Sequence, residues 1–82
     1  MFSRFDRHTR LMNRMADALG RDLETEMMAG ELTPEAYREK VLRCVGCREA
    51  DACEALLDGS GGHLDAAPAY CRNRADLDAG LA

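Results

Sequence analysis

The residues in this chain whose type and spacing could do chemistry are its cysteines. Cys44, Cys47, Cys53 and Cys71 form a C-x2-C-x5-C-x17-C array confined to 28 of the 82 residues, and the first 43 residues hold none. Sulfurs clustered in this way form a ligand set, and three chemistries fit it. Four thiolates can hold an iron-sulfur cluster, most simply a 4Fe-4S cubane with one cysteine per iron. A close pair plus two separate cysteines suits that assignment, because the cluster's corners are distinct metal atoms. The same set can hold a structural zinc ion tetrahedrally, although four-cysteine zinc sites usually pair two short knuckles, whereas 17 residues separate Cys53 from Cys71. The third chemistry is two disulfides, or the plainer state of four reduced cysteines packed as small hydrophobes. The cluster is the preferred assignment and zinc the alternative.

No other group of residues competes with the cysteines. His8 falls in an apolar stripe, where a hydrogen-bonded core histidine is the more natural reading than a ligand, and His63 sits in a glycine-rich loop and is expected at the surface. Met12, Met15, Met27 and Met28 stand at core spacing. Glu24 and Glu26 look like a solvated face, with no second carboxylate cluster to suggest acid-base catalysis. Gly59 to Gly62 follows no strand and precedes no lysine, so it is not a phosphate loop. The chain is therefore expected not to be an enzyme.

Eighty-two residues make one small domain, of the size that a metal, a disulfide or a partner often helps to fold. Aromatic residues amount to only 5%, which leaves a core of Leu, Met, Ala and Val and favours helices over strands. The net charge of -4 is unevenly spread: the first 21 residues carry five arginines against Asp6 and Asp17, a balance of +3, and the remainder is -7. An acidic chain binds phosphate backbones poorly, so a nucleic-acid role would fall to Arg4, Arg7, Arg10 and Arg14 alone and is disfavoured. No apolar run reaches membrane-spanning length and the N-terminus lacks a signal-peptide pattern, so a cytoplasmic protein is expected. A reducing compartment shifts the cysteines from disulfides toward metal binding.

The elements that must position the cysteines read as helices. A first helix spans about Ser3 to Leu19, with Phe5, His8, Met12, Met15 and Leu19 on its stripe, a Ser3/Asp6 capping pair and Gly20 as its stop. Asp22 caps a short second helix through Leu23, Met27 and Met28. Thr33-Pro34-Glu35 starts a third, whose inner face presents Tyr37, Val41, Cys44 and Val45. Gly46 is expected in a left-handed conformation that turns Cys47 back toward Cys44. Asp51 is expected to cap a fourth helix with Cys53 in its first turn, where the helix dipole would lower the thiol pKa. After the glycine loop a last helix is expected from about Pro68, carrying Tyr70, Cys71, Arg74 and Leu77, with the tail from Asp78 frayed. The expected fold is thus an all-α bundle of four to five short helices in one domain, residues 1-43 forming the helical half and 44-77 the half organised around the cysteines.

These residues also carry a resemblance. The chain resembles a family of short bacterial proteins with a domain of unknown function, through the Arg7-Met15 helix, the segment Gly30 to Glu35, the R-C-x-G-C motif at Arg43-Cys47, Ala52-Cys53 and the terminal Y-C-R-N at Tyr70-Asn73. That resemblance implies no activity. The C-x2-C-x5-C part is also similar to the end of the cluster motif in endonuclease III-type DNA glycosylases, whose further cysteine lies upstream, so the likeness concerns cluster geometry and not repair. The function expected is a cytoplasmic metal-binding accessory or redox-responsive protein that docks on a protein partner, with a zinc-stapled interaction module as the alternative. A disulfide-bridged domain and a nucleic-acid binder rank below both.

Overall fold

The computed structural model describes residues 3-79. Five helices and, among the described residues, no strand make up the chain: α1 (Ser3–Ala18), α2 (Leu23–Met28), α3 (Pro34–Val45), α4 (Ala50–Gly59) and α5 (Arg74–Ala79). The protein is the small all-α bundle expected, with α1 as its axis, packed chiefly against α3 and also against α4 and α2.

The apolar spacing of α1 explains its central place. Leu11, Met12, Met15, Ala16, Ala18 and Leu19 are each no more than 3% exposed, a face wide enough to be covered from several sides. The seam begins at His8, because Phe5, expected at its head, is 47% exposed. The helix stops at Ala18, and Gly20 takes the left-handed φ of +84° that a glycine tolerates without strain. Ser3 is already helical and its side chain lies outside the described residues, so the expected capping pair with Asp6 does too.

The next two helix starts form as the sequence dictates. The Thr25 N–H donates to Asp22 Oδ1 at 3.1 Å, and the Ala36 N–H donates to Thr33 Oγ1 at 3.1 Å. Met28, expected to pack, is 82% exposed, so the buried side of α2 is carried by Leu23 with Met27 against it.

Three local expectations fail. Gly46 is right-handed, with φ −77° and ψ −6°. Its N–H bonds back to the carbonyls of Leu42 and Arg43, and the Cys47 N–H to that of Cys44 at 2.9 Å. The helix ends by tightening its last turn, which consumes orphan carbonyls without a left-handed residue. A Cβ on Gly46 would sit 3.4 Å from the Arg43 carbonyl oxygen and 3.9 Å from the Arg72 side chain, an ordinary contact.

The fourth helix begins at Ala50 behind Glu49, whose side chain makes no capping bond. Asp51, the expected cap, is drawn instead to the Arg7 guanidinium at 2.7 Å.

The last helix is shorter than expected. Tyr70 and Cys71 precede α5 in successive tight turns, Cys71 N–H to Pro68 O at 3.0 Å and Arg74 N–H to Cys71 O at 3.2 Å. Asn73 decides this boundary. Asparagine favours a helix start, its carbonyl accepts the Leu77 N–H at 2.8 Å, and its side-chain amide donates to the Lys40 carbonyl at 2.7 Å. Helix α5 continues to Ala79 across part of the tail expected to fray, and residues 80-82 lie outside the described residues.

Candidate metal centre

Each cysteine reaches the same place from a different element. Cys44 stands in the last turn of α3, Cys47 in the connection after it, Cys53 in α4, and Cys71 in the turns before α5. All four line one cavity of about 30 Å³, walled by Leu11, Met12 and Met15 of α1 and by Leu77, with Tyr70 and Arg72 beside Cys71. Leu77 is fully buried, so the wall is core rather than surface. The four sulfurs surround this cavity without closing on a point. Among the described residues no group of three or more His, Cys, Asp or Glu is arranged to hold a single metal ion, and no disulfide joins the described cysteines.

The electrostatics follow from that enclosure. Burial pushes the Cys44 thiol up to about 12, and the neighbouring sulfurs of Cys53, Cys47 and Cys71 push in the same direction. Burial likewise raises Cys53 to about 11, with Cys71 and Cys47 adding to it and Arg14 and Arg7 opposing. This overturns the lowered pKa expected from a helix start. The Cys53 N–H is already bonded to the Glu49 carbonyl at 2.8 Å, so the unpaired N–H groups that would favour a thiolate belong to residues before it, and desolvation dominates. Tyr70 is raised as well, by burial first and then by Cys53, Cys47 and Cys71.

Polar neighbours fix individual sulfurs. The Cys44 thiol donates to the His8 carbonyl at 3.2 Å and lies 3.7 Å from His8 Nδ1. His8 is buried as expected, at the head of the α1 seam and beside Cys44. The Glu49 N–H donates to Cys47 Sγ at 3.4 Å. His63 is at the surface as expected, 3.1 Å from Asp65.

Residues 1-81 match a family described as Family of unknown function (DUF6455). The chain belongs to that family. No curated protein and no solved structure matches it. The expected membership in a family of unknown function therefore holds over nearly the whole length, and what this DUF6455 protein does has to be argued from its own residues.

Sequence reasoning missed a buried polar group near the cysteine cavity of this DUF6455 protein. Lys40 is 4% exposed and Asn73 2% exposed, and they meet beside Asp76. A signal for Lys40 existed: it lies three residues after Tyr37 and four before Cys44, on the inward face of α3. Its charge argued for solvent, and only a carboxylate from the far end of the chain makes its burial affordable.

Proposed function

We propose that this DUF6455 protein holds an iron-sulfur cluster on Cys44, Cys47, Cys53 and Cys71, and that it is a cytoplasmic, non-catalytic accessory or redox-responsive protein acting through a protein partner. The observation that carries the reading is the common cavity: four sulfurs from four stretches of chain line one apolar-walled space. A polynuclear group does not need the four sulfurs to meet at one position, because its ligands bind separate metal atoms. The donor set fits. Four soft sulfurs in an apolar wall, two of them with raised pKa values, are poor places for uncompensated negative charge, and a cationic metal core would offset it. When bound, such a cluster supplies one-electron redox chemistry and sensitivity to oxygen. The chain's own part is to provide the thiolates and to exclude water with Leu11, Met12, Met15 and Leu77.

Zinc remains the second reading because of one observation. A cavity of about 30 Å³ has room for a water or two, so a group larger than one ion needs the turns around Cys71 to give way. In the zinc reading the metal only staples the fold and the helical surface does the recognising.

Reconstitution without oxygen tests both. Wild-type protein and the four single Cys→Ser variants are offered ferrous iron with sulfide, or zinc alone, and bound metal is measured after desalting, with His63→Ala as control. The cluster reading expects iron and sulfide on wild type and on His63→Ala, with a loss of half or more in each cysteine variant. Stoichiometric zinc without iron selects the second reading. Metal content indifferent to all four substitutions overturns both.

A further inference from the structure

Cys71 is the one candidate ligand that rides on neither a helix nor its immediate end, so a helical ladder does not fix its position. The chain there is held instead at two anchors. Upstream, the Leu64 N–H donates to the Ala18 carbonyl at 2.8 Å and Ala67 is buried. Downstream, Asn73, two residues past the cysteine, donates its amide to the Lys40 carbonyl at 2.7 Å, a buried bond between α3 and the segment before α5. Asp76 then receives the Lys40 ammonium and, at 3.2 Å, the Arg43 guanidinium. Arg43 also reaches Asn73 Oδ1 at 3.3 Å, and Arg21 donates to the Asp76 carbonyl at 2.7 Å. The helix that supplies Lys40 and Arg43 also supplies Cys44.

We propose that Lys40, Asn73 and Asp76 are positioning residues, a polar clasp that fixes Cys71 at the thiol cavity before any metal arrives. The consequence for ligand binding rests on the reading of the cysteines as a metal site, but the positioning itself does not. A buried lysine and a buried asparagine cost desolvation wherever they are placed. Joining Asn73 and Asp76 to the turn just before Cys44 ties the first and last cysteines to one helix, although 26 residues lie between them in sequence.

The test is made on reduced, metal-free full-length chain. Each cysteine is pulse-labelled with iodoacetamide and quantified by peptide mass spectrometry, with circular dichroism run alongside. Two variants break the clasp at different points: Asn73→Ala removes the buried amide bond to the Lys40 carbonyl, and the double variant Lys40→Ala with Asp76→Ala removes the tie between α3 and α5 without leaving an unpaired buried charge or a new apolar contact in its place. Expected is a rise of about fivefold or more in Cys71 labelling, the change in local opening that one lost buried hydrogen bond brings. Cys44 and Cys53 labelling and helicity stay constant, and Asp76→Glu keeps the wild-type pattern. Wild-type Cys71 labelling in a folded variant overturns the proposal, as does an equal rise at all four cysteines. If Asn73→Ala unfolds, the double variant decides. Selective exposure of Cys71 in a protein that takes up no metal leaves the clasp standing and removes the ligand reading. Metal uptake with unchanged labelling removes the clasp alone.

Discussion

At the scale of single residues, the cavity makes its sulfurs reluctant anions. With the folded-state pKa of Cys44 raised from 9.0 to about 12, the neutral thiol is the form the fold favours. The stability this contributes is therefore complete below the ordinary thiol pKa and is lost as pH rises through the folded value. In reduced, metal-free protein, alkylation of Cys44 is expected to keep rising by about tenfold per pH unit above about pH 10, where an ordinary thiol has levelled off. Rates followed at each cysteine by mass spectrometry check this, and a plateau by about pH 10 for Cys44 would contradict the burial account. The gathering of the four cysteines at one place was legible from type and spacing alone. The ionisation of Cys53 was not, because the dipole argument used its place near a helix start, while its N–H is already bonded to the Glu49 carbonyl and desolvation is set by α1 and the other sulfurs.

At the scale of elements, local signals succeeded where a side chain had only its own helix to serve. Asp22 and Thr33 cap as expected because nothing distant competes for them. Asp51 was misread as a cap, and the last helix was started too early at Pro68, because partners elsewhere in the chain claim Asp51 and Asn73: Arg7, 44 residues from Asp51, and Lys40, 33 residues from Asn73. A window of sequence that does not contain the competitor cannot weigh it. The contrast is measurable in thermal or urea unfolding. Thr33→Ala, which removes a working cap, is expected to cost about 1 kcal/mol. Asp51→Ala, which removes only an exposed carboxylate's bridge to a half-buried arginine, is expected to cost less and to lose part of that small effect in high salt. Equal costs for the two would restore Asp51 as a cap.

At the scale of the whole molecule, one core serves both halves of the chain. Leu57 of α4 and Leu77 of α5 pack into the same cluster as the α1 residues, and the radius of gyration of 12.0 Å is that of a compact domain of this length, about 12 Å. The first helix's basic excess is turned inward on the molecule. Arg7 bridges to Asp51 and Glu54, Arg14 to Asp58, and Arg4 donates to the Val45 carbonyl, which ties α1 to α4 and to the end of α3. Among the described residues no helix is long and apolar enough to cross a membrane. The all-α class was readable from composition and periodicity, but the enclosure of the cysteines was not, since it depends on how α5 returns to α1 and α3.

The central claim is that the four sulfurs form one metal site. It is tested most directly by isolating the full-length protein from cells without exposure to oxygen and measuring iron, acid-labile sulfide and zinc per chain together with the visible spectrum. The account predicts a brown protein with about four irons and as many sulfides per chain, bleaching in air. A colourless protein holding neither iron nor zinc would contradict it.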